Sequence, residues 1–320
     1  MQKDILFIDA VCKSREKFLI GYDRYLRLID AENYNEGLKL LREYNFGKSA
    51  AEGADLSQII YAEEEDLIAF IKEYAPKGGA QNYFLLPYDF LNAEALFKCS
   101  KLNLPKDSKY LTHEGLLSID EIKCAVSGEK CKIQEINEAI EEAEKLFTEN
   151  ALPTGALVDT VFTRKLYAAI KRLAADAEVL NFLESEKLFK NISIALRCES
   201  VEEYEALKIP CKILKKEQET ALLSKDEGKM AGAFKNSRYL DFVKTASKNI
   251  GKPLSEYERM VDGYALNKLK ETRFFNEGTK PYLLYVSYRK ADIKNVRLIL
   301  SSLKSGIARD VVKGKLRESY

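Results

Sequence analysis

The sequence predicts an all-α protein, on the basis of its composition and the spacing of its apolar residues. The 320 residues include only 7 Pro and 16 Gly, fewer than the roughly 12% that globular proteins usually contain. Apolar residues recur at three- and four-residue steps, as in Ile133, Ile136, Ile140, Ala143 and Phe147. This spacing is typical of amphipathic helices. Alternating apolar patterns that would indicate strands are scarce.

The helices can be placed along the chain. A second apolar stripe runs from Phe162 to Leu180 and a third from Ile293 to Leu303. Pairs of amphipathic helices are predicted near 11–46, 132–180 and 235–272. Three helix starts fit a capping box, namely Ser118 with Glu121, Ser200 with Glu203, and Ser255 with Glu258. The short candidates for strands are 5–8, 83–86 and 209–214.

Charge and composition exclude several classes of protein. The 51 Lys and Arg residues nearly balance the 50 Asp and Glu residues, so no overall field favours nucleic acid or an anionic bilayer. A hydrophobic content of 46% excludes wholesale disorder. The six cysteines are widely spread and form no C-x-x-C pair, which indicates buried free thiols. No signal peptide and no apolar run of about 18 residues is found, so a cytosolic protein is expected.

Internal repetition is the most informative feature of the sequence. Asn92, Asn191 and Asn295 are separated by 99 and 104 residues and share a register of apolar neighbours. Three positions before each asparagine stand, in turn, Asp89, Leu188 and Asp292. An acidic residue therefore occupies this column of the aligned copies in the first and third copies but not in the middle one. We therefore predict three helical repeats, with boundaries at 1–127, 128–224 and 225–320.

An asparagine inside a helix needs a physical reason, because it is roughly 0.6 kcal/mol poorer than alanine there. Asn295 lies beside the apolar stripe formed by Ile293, Val296 and Ile299. We expect its amide to be buried and bonded to a backbone group at the end of an adjacent helix. The alternative is a partly exposed asparagine that caps a helix or faces solvent.

A search for catalytic residues finds no candidate set. Gly47-Lys48-Ser49 resembles the end of a phosphate loop, but Arg42 stands where the first glycine is required. The single histidine, His113, suggests a surface or turn residue. Cys124 and Cys131 do not have zinc spacing. Acidic clusters such as 63–66 are interpreted as solvated helix faces or as first turns of helices. No catalytic, cofactor or metal residue is predicted, and no direct binding of nucleotide or nucleic acid is expected.

The C-terminal segment resembles a known family. Residues 288–300, with sequence YRKADIKNVRLIL, resemble the signature helix of the C-type subunits (d-type in eukaryotes) of the V/A-type rotary ATPases. The tail 306–320, the stretch 22–47 and the segment 89–92 are also similar to that family. The sequence departs from the family pattern at Lys290, where an acid is frequent, and at Leu188.

This resemblance implies a fold and a function. Family members are all-helical and funnel-shaped, with three similar repeats around a pseudo-threefold axis. The resemblance implies a non-catalytic rotor subunit that joins the central stalk to the membrane proteolipid ring, on the cytoplasmic face of the cell membrane. Its motif would comprise residues of three helices, namely Asp89, Asn92, Asn191, Asp292, Asn295 and Arg297.

Two other classes of protein were weighed against the rotor subunit. A general helical scaffold would need many short repeats of 30–50 residues, and no such period is present. An enzyme with a site built from dispersed carboxylates would need converging acids with perturbed pKa values in a pocket.

Overall fold

The computed structural model describes residues 4–76, 78–105, 108–149, 154–271 and 278–320. Within these ranges the chain is helical and contains no strand, which confirms the predicted all-α class. The helices are, in chain order, α1 (Ile5–Arg15), α2 (Tyr22–Asp30), α3 (Tyr34–Glu43), α4 (Leu56–Tyr74), α5 (Ala80–Lys101), α6 (Ile119–Val126), α7 (Gln134–Glu149), α8 (Gly155–Leu173), α9 (Ala177–Arg197), α10 (Val201–Leu207), α11 (Lys216–Leu223), α12 (Glu227–Ala233), α13 (Leu240–Ser247), α14 (Ser255–Glu271), α15 (Lys280–Lys304) and α16 (Arg309–Lys315).

The candidate strands take other conformations. Residues 5–8 belong to α1, residues 83–86 belong to α5, and residues 209–214 form an irregular segment between α10 and α11. The second apolar stripe is also interrupted, because α8 ends at Leu173 and α9 begins at Ala177. The Asp176 side chain caps α9 by accepting the Val179 N–H, so a polar cap divides what periodicity alone predicted as one helix.

Two of the three predicted helix starts are correct. Ser118 caps α6 in a complete capping box, and Ser200 caps α10. The third is wrong, because α14 begins at Ser255 itself. The buried Leu254 precedes the first turn, and its carbonyl accepts the Glu258 N–H at 2.8 Å. The helix therefore starts one residue earlier than the serine pattern indicates.

The first compact unit comprises Met1–Lys77 and Arg259–Tyr320. Helix α15 lies at its centre and packs against α1, α2, α3 and α4. Its buried face includes Val296, Ile299 and Leu300, none of which is exposed. Burial of such a continuous apolar face is the main source of stability for a helix of this kind.

The second compact unit is Gly78–Glu258. Helix α5 packs against α6 and α8, and α9 packs against α11 and α13. Shorter helices thus pack around each of the long helices α5 and α9. The division into three repeats at 127 and 224 concerns similarity between segments rather than compactness, and it stays a prediction. No helix in the described ranges has both the length and the apolar character needed to cross a bilayer.

Candidate functional site

Three buried asparagines each form hydrogen bonds with the backbone of a segment outside their own helix. Asn92, Asn191 and Asn295 lie in α5, α9 and α15, and all three are 0% exposed. Each helix is more than 20 residues long. The amides therefore project from the central helices of both units into packed surroundings, where an unpaired polar group would be costly.

The amide of Asn191 pairs with both backbone groups of one residue. Its Nδ2 donates to the Ile209 carbonyl at 2.7 Å, and its Oδ1 accepts the Ile209 N–H at 2.7 Å. Asn295 pairs in the same way with Arg317, at 3.1 and 2.8 Å. A primary amide presents a donor and an acceptor side by side. It can therefore replace the backbone partner that an irregular segment lacks.

Asn92 divides the same two bonds between neighbouring residues. Its Oδ1 accepts the Thr112 N–H at 2.7 Å, and its Nδ2 donates to the His113 carbonyl at 3.0 Å. His113 is 3% exposed and packs edge-to-face against Tyr88. The prediction of a surface or turn residue is wrong, because His113 is buried and lies in the irregular segment that precedes α6.

Asp89 holds the continuation of the same segment. Its two carboxylate oxygens accept the N–H groups of Leu116 and Leu117 at 2.8 and 3.1 Å. Asp89 and Asn92 lie three residues apart on one helix face, and together they fix residues 112–117 against α5. The approach is close at Gly115, where an added Cβ would lie 2.4 Å from the Leu85 carbonyl oxygen.

We expect Gly115→Ala to destabilise the protein. The new methyl group would also lie 2.6 Å from Asp89 Oδ1, so the segment would have to move away from α5, which would weaken the bonds of Leu116 and Leu117 to Asp89. Overpacking of this kind costs about 1–3 kcal/mol, measurable as a lower free energy of unfolding in urea. Gly232→Ala is the control, because nothing lies within 4 Å of its Cβ position in α12. Equal stability of the two variants would contradict the close approach.

The middle copy replaces the missing aspartate with a glutamate one turn earlier. Leu188 is a buried core residue, but Glu184 accepts the Lys212 N–H at 2.9 Å. Residues four apart share a helix face, and the longer glutamate side chain reaches the segment that follows Ile209. Burial alone would raise the pKa of Glu184, but the Lys187 ammonium and the Lys212 N–H together lower it. Sequence comparison in a single column missed this carboxylate.

Asp292 of α15 binds a different part of the chain. Its Oδ2 accepts the Ile20 N–H at 3.1 Å, and its Oδ1 accepts a very short hydrogen bond from the Tyr25 hydroxyl. Burial raises the pKa of Asp292 to about 7, although its two donors and Arg289 oppose that shift. Within the first unit, these two hydrogen bonds connect α15 to α2 and to the segment that precedes α2.

A second buried carboxylate lies on α4. Glu63 is 1% exposed, forms an ion pair with Arg289 and accepts the Gly47 N–H at 2.7 Å. The interpretation of residues 63–66 as a wholly solvated face is therefore wrong for Glu63. The N–H that a phosphate loop would offer to nucleotide is bonded to a carboxylate here.

Arg297 stands apart from the other predicted motif residues. Its guanidinium donates to Glu64 Oε1 at 3.1 Å, and its side chain is 59% exposed. An exposed pair of this kind contributes little to stability. The structure thus brings Asp89 and Asn92 together on one segment and leaves Arg297 on the surface of the first unit.

The arrangement of these groups fits the fixing of loops more than a chemical reaction. The carboxylates of Asp89 and Asp292 are fully buried and bonded to protein donors, so they offer no face to a substrate. Among the described residues, no group of three or more His, Cys, Asp or Glu is placed to hold a metal ion. All six cysteines are free thiols, but the prediction that they are buried is wrong for Cys124, which is exposed. Burial, with help from Asp9, raises the pKa of Cys12 to about 12.

Comparison with known proteins identifies the family. No curated protein sequence matches the chain. Residues 8–315 match the family model described as ATP synthase (C/AC39) subunit. The matched range runs from within α1 to the last residue of α16, so it includes every asparagine and carboxylate described above. The chain therefore belongs to the C/AC39 subunit family of the V/A-type ATP synthases.

Proposed function

We propose that this protein is a non-catalytic central-rotor subunit of a V/A-type rotary ATPase. In this role it joins the central stalk to the membrane proteolipid ring and passes rotation between them during ATP-linked proton or sodium transport. It would lie on the cytoplasmic face of the cell membrane as a peripheral component. The family match over residues 8–315 carries the proposal.

The contacts of the long helices support a mechanical role. A part that transmits torque must resist deformation of its loops, because any slack would dissipate rotation. Side chains of α5, α9 and α15 bond to the backbone of irregular segments at 112–117, 209–212 and 317. The bonds to Leu117 and Ile209 are buried, where hydrogen bonds are electrostatically stronger than in water.

The same contacts support three repeats at 1–127, 128–224 and 225–320. In each proposed repeat one long helix carries a buried asparagine that pairs with a backbone segment about 20 residues further along the chain. The rotor subunit would then be held together internally by the hydrogen bonds of five motif residues, namely Asp89, Asn92, Asn191, Asp292 and Asn295. The sixth motif residue, Arg297, would lie on its surface.

Co-purification tests the proposed function. We expect a tagged central-stalk protein to retrieve this chain from native membranes, and we expect the purified chain to hydrolyse no ATP. Contacts between charged rims should weaken as salt rises, so the retrieved amount should fall between low and high NaCl. Absence of the chain from the retrieved complex, or stoichiometric binding of nucleotide to the chain alone, would contradict the proposal.

A further inference from the structure

A strongly basic segment follows the middle asparagine contact. Residues 208–216, which we call the basic loop, have the sequence KIPCKILKK with four lysines and no acid. The chain as a whole carries a net charge of only +1. The loop joins α10 to α11 within the second unit, and it is therefore a local concentration of positive charge on a nearly neutral protein.

The backbone of the basic loop is held in one conformation. Asn191 pairs with both backbone groups of Ile209, and Glu184 accepts the Lys212 N–H. Arg164 of α8 donates from Nε to the Lys208 carbonyl at 3.0 Å. These side chains come from two long helices, so the loop needs no further ordering when a partner arrives.

The side chains of the basic loop divide into anchors and exposed groups. Ile209 and Leu214 are buried, whereas Ile213 is 37% exposed. Lys208 forms a salt bridge with Glu205 at 2.8 Å, and Lys215 forms one with Glu217 at 4.0 Å. The ammonium groups of Lys212 and Lys216 form no salt bridge with any residue that the structure describes, and both residues are exposed.

We propose that the basic loop is a docking surface for an acidic surface of another protein of the same ATPase. This inference rests on the proposed function. Lys212 and Lys216 are exposed and present positive charge outside any salt bridge of the described residues, although the charge of Lys212 also acts on Glu184 and helps to lower its pKa. They lie on either side of Ile213, which can bury its apolar side chain against the partner. Opposite charge across such a contact accelerates encounter and fixes register. A loop that is already rigid loses little conformational entropy on binding.

The number and placement of the charges favour a protein over a lipid bilayer. Adsorption to anionic lipid gains about 1 kcal/mol per basic residue near the surface, and recognised lipid-binding segments use clusters of 4–8 such residues or an amphipathic helix. The basic loop has two exposed lysines outside salt bridges and one partly exposed isoleucine, and only its last residue, Lys216, belongs to a helix. A fixed geometry contributes little to contact with a fluid surface, but it aids contact with a shaped protein surface.

The test compares neutralised lysines inside and outside the loop. The ATPase is purified through a tag on a stalk protein, from cells whose only copy of this chain is the wild type or a variant. The test variant combines Lys212→Gln with Lys216→Gln, which places no new acid beside Glu184. The control combines Lys235→Gln with Lys252→Gln, because both lysines are exposed and form no salt bridge with the described part of the chain. Thermal melting verifies that each variant folds.

We expect the wild type and the control to stay in the complex at about 0.15 M NaCl, and the test variant to fall about tenfold in retained amount. Equal retention of all three overturns the proposal. Binding of the wild type to vesicles containing phosphatidylglycerol, lost in the test variant while retention in the complex is unchanged, also overturns it in favour of a lipid contact. If the wild type itself is not retained, the proposed function is contradicted. The proposed docking surface, which rests on that function, is then contradicted as well.

Discussion

Replacing Asn191 with alanine should lower the free energy of unfolding by about 2–4 kcal/mol, since each buried polar group left unsatisfied costs about 1–3 kcal/mol. The substitution removes both partners of Ile209, whose N–H and carbonyl each bond to the asparagine at 2.7 Å. It also leaves a cavity in a fully buried position. Urea unfolding monitored by circular dichroism measures the change directly.

The control for Asn191→Ala lies on the same helix. Asn181 is an exposed residue of α9, and Asn181→Ala should leave stability unchanged or raise it slightly, because alanine is the better helix former. Asn191→Asp should be worse than Asn191→Ala, since it places a buried carboxylate oxygen against the Ile209 carbonyl. Unfolding curves for Asn191→Ala and Asn181→Ala that coincide would show that the backbone pairing is not structural.

The second large effect concerns Asp292 and pH. Its pKa is about 7 in the folded chain and about 3.9 in an unfolded one, so between these values the folded state holds a proton that the unfolded state has released. Stability is therefore highest below about pH 4 with respect to this group, and it falls as pH rises to 7. The total loss is about 4 kcal/mol.

Asp292→Asn should remove this slope. The amide oxygen can accept the Ile20 N–H, and the amide nitrogen can donate to Tyr25 once that hydroxyl rotates. The variant should therefore be more stable than the wild type at pH 8 and nearly insensitive to pH between 4 and 7 at this position. Melting temperatures of both proteins between pH 4 and pH 8 measure both effects. A variant with the same slope as the wild type would assign the slope to other groups.

Asp89→Asn is the informative comparison. Both oxygens of Asp89 accept backbone N–H groups, from Leu116 and Leu117, and a backbone N–H cannot reverse its role as a hydroxyl can. One donor would therefore face the new amide nitrogen. We expect Asp89→Asn to be destabilising at every pH, whereas Asp292→Asn is tolerated. Similar behaviour of the two variants would contradict the difference in donors.

The sequence predicted the helical class and the buried asparagine because both depend on local spacing. Asn295 stands beside an apolar stripe, and its backbone partner follows the adjacent α16, as expected. The partner of Asp292 is Ile20, which lies 272 residues away in the chain. Helical periodicity contains no information on contacts between such distant segments, so the hydrogen bond between Asp292 and Ile20 could not be predicted.

The apparent absence of an acidic residue from the middle copy had a simpler cause. Alignment on Asn191 placed Leu188 where the other copies have aspartate, and it assumed that equivalent roles need equivalent positions. Glu184 lies one turn earlier on the same face, and its longer side chain reaches the same kind of backbone donor. A search of neighbouring turns, rather than a single column, would have found it.

The way in which the asparagines recognise their loops bears on how such a protein can diversify. Their bonds to these segments go to backbone N–H and carbonyl groups of residues as different as Thr112, Ile209 and Arg317, apart from one further bond from the Thr112 hydroxyl to Asn92. Such backbone groups are common to nearly all amino acids. Positions 209 and 317 can therefore change side chain without loss of the hydrogen bonds to Asn191 and Asn295. Each loop can acquire its own surface chemistry, basic at 208–216 and weakly acidic at 112–117, so that one repeated set of backbone contacts can present different surfaces to different neighbours.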